Sequence, residues 1–574
     1  MLTRFADSQL NAEVRREPHD GWVFVLTRPL AGLLALVLVA SPLLRAAATA
    51  STDDARRFAE QDRAQSLQPI RPGRPHEAPF WNRYSKRFIC APAFDFAPVK
   101  NAVRYRFNIE TRGKTLSFES AHPWDALTPV WDSIPEGYTV LTVAGLDARG
   151  GVLGQAGSRA FYRSPSFSGE APAPVSPFRD AGRLGLRAIL EAPHVQHWLE
   201  TGKPDPAYPR YCYPAKVMGG LLRGMIALSQ DADTDQQKQQ AGKIAASVAY
   251  YLISISFKAG TPFEFFPPTY SLAVDHPTSA AGDSIDTVMV AAACDAAFGY
   301  LDLYDLTKDQ HYLDAARKIA ATYAKTQEAD GTWPLKANVA TGKTIAPNRL
   351  VPTWIIFLFD RFDRQYGDQA FRSNRERAWQ YLQKNPLRAF EWDGQFEDVK
   401  PHPPYKNLAR EQACDTAVLL LEETNAGPKQ IAAARELIRF SEDQFVVWSP
   451  WKDLDGTRKL KIDNREISKW MMPCVLEQYA CYGPVARSSA ILIKTYLTAA
   501  RVTHEDIYAQ KARALGSTLV AAQRYQMDHQ HGKGEVPTWL IRRKPINWLN
   551  NSCYAASALL DLANYENGKA PAIP

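Results

Sequence analysis

The chain has 574 residues, of which 45% are hydrophobic and 22% charged, with a formal net charge of +7. That length exceeds one ordinary core and points to two or three domains. The balance excludes a disordered chain, and a small positive charge with no long basic run excludes a nucleic-acid binder.

Arg28 precedes an apolar run over residues 30–44, interrupted by Gly32, Ser41 and Pro42, and Ala48-Thr49-Ala50 fits a small-x-small cleavage site. Residues 1–50 therefore read as a signal peptide, giving an exported protein, periplasmic or secreted. The run is shorter than the ~20 residues that span a bilayer; the alternative is an anchor formed by residues 30–44. Residues 51–79, polar with Pro and Arg, read as a leader.

From 80 to 163 the pattern changes to period two. Residues 102–109 and 138–144 alternate, and Gly- and Pro-containing turns at 112–113, 135–137 and 147–151 separate the runs. Short strands at this spacing predict an antiparallel β-sandwich, with residues 137–150 similar to part of a fibronectin-III or immunoglobulin-like module. Residues 164–178, rich in Pro, Ser, Gly and Ala, predict a linker.

Over 179–566 the period is helical and the pattern repeats. Amphipathic helices are predicted over 180–200, 236–255, 308–327, 369–384, 429–445 and 504–527. More apolar helices begin near Tyr213, Ser284, Val351, Glu411, Tyr482 and Asn550, roughly 60–70 residues apart. Helices apolar all round must be buried, and those with one apolar stripe lie outside them. Six such pairs predict a mainly α fold, a closed (α/α) toroid of six hairpins, since an open solenoid would need capping repeats. Residues 567–574 form a tail.

In this layout and in its Gly-, Pro- and Trp-rich loops, the chain from about Phe80 to Tyr565 resembles the toroidal carbohydrate-active enzymes. These are glycoside hydrolases and polysaccharide lyases with an N-terminal β-sandwich, and the β-glucuronidase and unsaturated glucuronyl hydrolase types are the nearest in character. The resemblance implies a funnel-shaped site at the N-terminal ends of the inner helices, and a uronic-acid-containing oligo- or polysaccharide as partner. Six helix N-termini at one opening also favour an anionic sugar physically.

The loop before the fourth inner helix is the richest in chemistry. It carries Trp392, Glu397, Asp398, His402, Tyr405, Asn407 and Arg410, and leads into Glu411. Glycoside hydrolysis needs two carboxyl groups flanking the scissile bond. Adjacent loop residues point apart, so Glu397 or Asp398 is expected to act with Asp283 or Asp286 from the second inner helix. Asp283 reads equally as an N-cap. Glu411 and Asp415 share a helix face and either look into the funnel or complement the helix dipole. Glu477 is a further carboxylate near the fifth inner helix.

Aromatic and polar candidates for sugar contacts are Tyr213, Trp333, Trp354, Trp392, Trp470, Tyr482, Trp539, Trp548 and Asn551, and the cations near the mouth are Lys216, Arg349, Arg410 and Arg543. Each single aromatic also reads as hairpin packing. Gln327 to Trp333 fits the Q-x-x-x-G-x-W loop of toroidal terpene cyclases, but the acidic motif of those enzymes is absent.

The seven cysteines form no CxxC, and Cys474 and Cys481 on one helix would stand ~10 Å apart, too far for a disulfide. They are expected to be small buried hydrophobes. No nucleotide-binding loop or metal motif is present, so no cofactor and no metal are expected. Three functions compete: a uronate glycan hydrolase; a lyase using His402, Tyr405, Asn407 and Arg410; and a non-catalytic glycan-binding ring.

Overall fold

The computed structural model describes residues 52–81, 85–271, 285–392, 394–395, 411–424, 426–450, 467–477, 483–544 and 547–569. The expected signal peptide lies outside them. Among the described residues no helix is long and apolar enough to cross a membrane.

Where the sequence reads as a leader, the chain forms helix α1 (Thr52–Ser66), with Asp53 and Asp54 in its first turn, as the dipole favours. It buries Phe58 and Asp62. Five strands follow: β1 (Arg87–Phe88), β2 (Arg104–Thr111), β3 (Lys114–Ser120), β4 (Gly137–Leu146) and β5 (Val152–Arg163). They make one sheet in the order β1-β5-β4-β2-β3, with β1 parallel to β5 and the other pairs antiparallel. No second sheet faces it among the described residues, so the sandwich expectation is corrected to a single sheet. A sheet needs only one cover for its apolar face. Here the covers are irregular segments around Phe94, Leu127 and Trp131, and the Trp131 indole donates to the Ile89 carbonyl at 2.9 Å.

The linker is an ordered strap. Phe167 is buried against Trp448, with ring centroids 4.8 Å apart, and Ser517 Oγ donates to the Pro172 carbonyl at 2.6 Å.

The rest is the ring. Outer helices are α2 (Phe178–Leu190), α5 (Asp235–Ile255), α7 (Gln310–Thr326), α9 (Arg372–Leu382), α11 (Pro428–Phe445) and α13 (Asp506–Asp528). Inner helices are α4 (Gly219–Asp231), α6 (Ala293–Thr307), α8 (Thr353–Tyr366), α10 (Glu411–Glu422), α12 (Ala486–Thr503) and α14 (Leu549–Glu566). A short helix α3 (Pro193–Thr201) follows α2. Each inner helix packs on the next, and α14 packs on α4, so the ring closes. The last inner helix takes the first outer helix, α2, as its hairpin partner, which joins the two ends of the repeat. Glycines permit the closing seam: a Cβ on Gly220 would lie 2.5 Å from Asn550 Cβ, and one on Gly224 2.7 Å from Cys553 Sγ. The six described cysteines are buried and form no disulfide with one another.

Inner helices pass to outer helices through short turns, such as 232–234, 308–309 and 504–505. Outer helices return through long loops, tied by small strand pairs: β6 (Thr287–Met289) with β7 (Lys336–Asn338), and β8 (Val446–Val447) with β9 (Cys474–Val475). The long loops therefore gather at the N-terminal ends of the inner helices, which form the mouth.

The N-terminal sheet docks on α11 and the segment after it. Ile89 and Cys90 N–H groups donate to Asp443 Oδ1 at 2.6 and 2.7 Å, and Arg87 donates to the Gln444 carbonyl at 2.6 Å.

Candidate active site

At the mouth every inner helix contributes a polar or aromatic side chain from its first or second turn. They are Arg223 of α4, Asp295 of α6, Trp354 of α8, Glu411 and Asp415 of α10, Arg487 of α12 and Tyr554 of α14. Four of them, Asp295, Tyr554, Arg487 and Glu411, form a chain of contacts. The Tyr554 hydroxyl donates to Asp295 Oδ1. The Arg487 guanidinium lies 4.7 Å from the Tyr554 ring centroid and donates to Glu411 Oε1 at 2.5 Å. The Trp354 indole N–H donates to Asp415 Oδ2, also at 2.5 Å. Arg223 is drawn toward Asp302, 3.6 Å away, which in turn pairs with Arg361 at 2.7 Å.

Asp295 is 7% exposed. Burial raises its pKa, opposed by Arg487, by the Tyr554 hydrogen bond and by Arg223, while Glu411 adds to the rise. A carboxyl group whose proton is held more tightly than usual is suited to donate it to a leaving group. Burial also pushes the Tyr554 phenol up, as does Asp295, so this hydroxyl stays protonated. Burial alone would lower Arg487, but Glu411, Tyr554, Asp295 and Asp415 outweigh it and keep the guanidinium charged. The guanidinium then links Glu411 to the Tyr554–Asp295 pair, so two carboxyl side chains share one cluster.

Local backbone explains the approach of α4 to Asp295. A π-helical turn, Pro214–Met218, opens α4, and a Cβ on Gly219 would sit 3.1 Å from Asp295 Cβ. Such turns concentrate at functional sites.

Beside the cluster is an aromatic wall. Tyr213 and Trp548 have ring centroids 5.4 Å apart, and Tyr270 lies 5.7 Å from Tyr213. Lys216 Nζ lies 5.2 Å and the Arg210 guanidinium 4.2 Å from the Trp548 ring centroid. Thus the structure brings together Tyr213, Lys216 and Trp548, read separately from the sequence, with Asn551 half-buried on the first turn of α14.

Other candidates sit elsewhere. Trp333 is fully buried and donates to the Tyr323 carbonyl at 3.0 Å; Trp392 is 1% exposed, against Phe390. Neither has a ring face open to a sugar. Trp470 is 3% exposed, in a β-bridge with Ile541. Arg349 is engaged by Glu328 at 2.6 Å and Asp330 at 2.8 Å. Arg543 is exposed. The second inner helix starts at Ala293 rather than near Ser284, so Asp286 falls in an exposed turn before β6. Asp283, Glu397, Asp398, His402, Tyr405, Asn407, Arg410 and Tyr482 lie outside the described residues.

Sequence reading passed over Asp295, Arg487 and Tyr554. A signal existed for Asp295: it is the only charge in the apolar run 287–301, on a helix buried all round.

No family model and no curated protein matches the sequence. Among solved structures, the chain is similar to a family 76 glycoside hydrolase from a bovine Bacteroides thetaiotaomicron strain, at 12% identity over 81% of this chain and 95% of that one, with a TM-score of 0.44. It is similar to cellobiose 2-epimerase from Spirochaeta thermophila, at 13% identity over 69% and 100% of the two chains, with a TM-score of 0.45. A third is an unsaturated glucuronyl hydrolase specific for heparin, at 10% identity over 68% and 97%, with a TM-score of 0.42.

Proposed function

We propose that the mouth is the active site of a glycan-acting enzyme, a glycoside hydrolase for uronic-acid-containing substrates. One observation carries this reading: the buried Asp295, whose pKa burial raises, accepts from the Tyr554 hydroxyl, and Arg487, packed on the Tyr554 ring, donates to a second carboxylate side chain, Glu411. In the proposed reaction Asp295 protonates the leaving oxygen, and Glu411 acts on the sugar carbon as base for water or as nucleophile. The half-buried Trp548 ring, backed by the buried Tyr213, would cover the apolar face of a pyranose, and Lys216 and Arg210 beside it supply the positive field that a uronate carboxylate favours. In sequence, Glu397, Asp398, His402, Tyr405 and Arg410 directly precede Glu411, so Glu397 and Asp398 stay in this proposal as alternative carboxylates and His402, Tyr405 and Arg410 as candidate substrate contacts. Export, read from residues 1–50, belongs to the same proposal, since polymeric glycans are met outside the cell.

The test offers uronate polysaccharides and their unsaturated oligosaccharides to the purified protein, following reducing ends and ultraviolet absorbance together. Reducing ends without rising absorbance support hydrolysis, and Asp295→Asn and Glu411→Gln are expected to lower kcat by about 10²–10⁴-fold while substrate still binds. Rising absorbance would mean elimination and would sink the hydrolase reading. Full activity in Glu411→Gln with loss in Glu397→Gln would move the second carboxylate into the loop.

A further inference from the structure

We propose that a cavity of about 130 Å³ in the outer wall of the ring, between α5 and α7, is a second binding site that takes the edge of one sugar residue. It shares no residue with the mouth, and it goes beyond the reading of that site. Its walls are Ser256 just past the end of α5, Phe265 in the following loop, Tyr300 of α6 behind, and His311, Asp314 and Lys318 of α7.

The observation that asks for a ligand is Tyr300. This residue is 1% exposed, and its hydroxyl has no hydrogen-bond partner among the described residues. A buried hydroxyl left unpaired costs free energy, and Tyr300 lines a cavity from which a partner could be supplied. Burial also holds the phenol far above its ordinary pKa, so it is a neutral donor and acceptor.

The surroundings define the chemistry. Phe265 lies half-buried with φ of +68°, a conformation that a bulky side chain reaches only under local constraint. The constraint is a closed loop, in which Phe265 N–H donates to the Phe257 carbonyl at 2.7 Å and Phe257 N–H to the Phe266 carbonyl at 3.0 Å. Lys318 Nζ lies 5.4 Å from the Phe265 ring centroid. Across the opening, the His311 ring stacks on Tyr250, with centroids 5.3 Å apart, and Tyr250 is 50% exposed. Ser256 Oγ donates to the Leu252 carbonyl at 2.8 Å and keeps its lone pairs as acceptors; Asp314 adds a carboxylate.

Flat rings at the rim, with a hydroxyl, a carboxylate and an ammonium around a small cavity, match a molecule with C–H faces and several hydroxyls. A cavity of ~150 Å³ holds one benzene, so this one takes part of a pyranose, its hydroxymethyl side or two ring hydroxyls. A second site on the outer wall would hold a glycan chain to the ring while its end is processed at the mouth.

The test follows the His311 ring resonances of the histidine-labelled full chain during titration with methyl glycosides of glucose and mannose. The expected result is saturable movement in the wild type and in the mouth variant Trp548→Ala. Tyr300→Phe, which removes one hydroxyl and keeps the fold, should move the titration about three- to tenfold toward higher sugar. Ala315→Trp, which fills the cavity, should abolish it. No movement in the wild type, or the same titration in Tyr300→Phe and Ala315→Trp, would overturn the proposal.

Discussion

Lys511→Met should destabilise the protein more than any other single change outside the mouth. Lys511, on α13, is 1% exposed, and its ammonium pairs with Asp62 of α1 at 2.6 Å and with Glu442 of α11 at 2.8 Å. Asp62 also accepts the Phe167 N–H at 2.6 Å, so helix, strap and ring meet at this ammonium. Methionine fills similar volume but leaves two facing carboxylates without a counter-charge. Breaking a buried ionic group in this way costs about 3–5 kcal/mol. The sign of the pH effect follows from Glu442. Burial raises its pKa; Lys511 opposes the rise and Asp62 adds to it. Removing Lys511 raises Glu442 further above its unfolded value. A carboxyl whose folded pKa exceeds the unfolded one loses stability as pH rises between the two. The variant should therefore lose most at pH 7.5 and less at pH 5, where a proton replaces the ammonium. Lys511 itself is raised, so in the wild type its ammonium stays charged at both values. Urea midpoints from tryptophan fluorescence measure this, with Trp448 as a local reporter, its ring centroid 5.8 Å from Lys511 Nζ. A loss below ~1 kcal/mol at both pH values, or a larger loss at pH 5, would refute the reasoning.

Four further outcomes are expected. Arg487→Met removes the cation that most opposes the rise in the Asp295 pKa, so the proton donor should stay protonated to higher pH; the alkaline limb of kcat/KM should move up, and a downward move would contradict the assignment. Asp443→Ala leaves the buried Ile89 and Cys90 N–H groups unpaired, at about 2–4 kcal/mol, read by thermal melting and by proteolysis of the N-terminal sheet. Burial pushes Asp443 up to about 6, above its unfolded value, so its ionisation subtracts stability from about pH 4 to about pH 6, and Asp443→Asn should flatten that part of the stability curve. Gly220→Val drives side-chain carbon into the Asn550 backbone across the closing seam, where neither helix can yield, and should cost about 1–3 kcal/mol in urea melts while Gly242→Ala, with open space around its Cβ position, costs nothing.

The helical layout was legible because burial leaves a local record. Helices apolar on all sides became the inner ring, and those with one stripe became the outer one. Starts read near Val351, Glu411, Tyr482 and Asn550 fall within a few residues of Thr353, Glu411, Ala486 and Leu549. The second inner helix misled because the segment before it ends in strand β6, and its first turn, carrying Asp295, lies inside an apolar run rather than at its edge. Among the aromatics, Trp333 and Trp548 sit in equally Trp-rich loops, yet one is core and the other is mouth wall; composition does not distinguish them.

The sequence by itself determined the period of each segment, hence six inner and six outer helices, and the end at which the long loops collect. The tertiary structure alone decided two things: that the N-terminal strands form one sheet with a docked helix, and that Asp295, Glu411, Arg487 and Tyr554 meet. The physical reason is separation along the chain. Periodicity records which face of a helix is buried. It does not record which of the five other inner helices that face meets, and these four residues come from helices spread between 293 and 566.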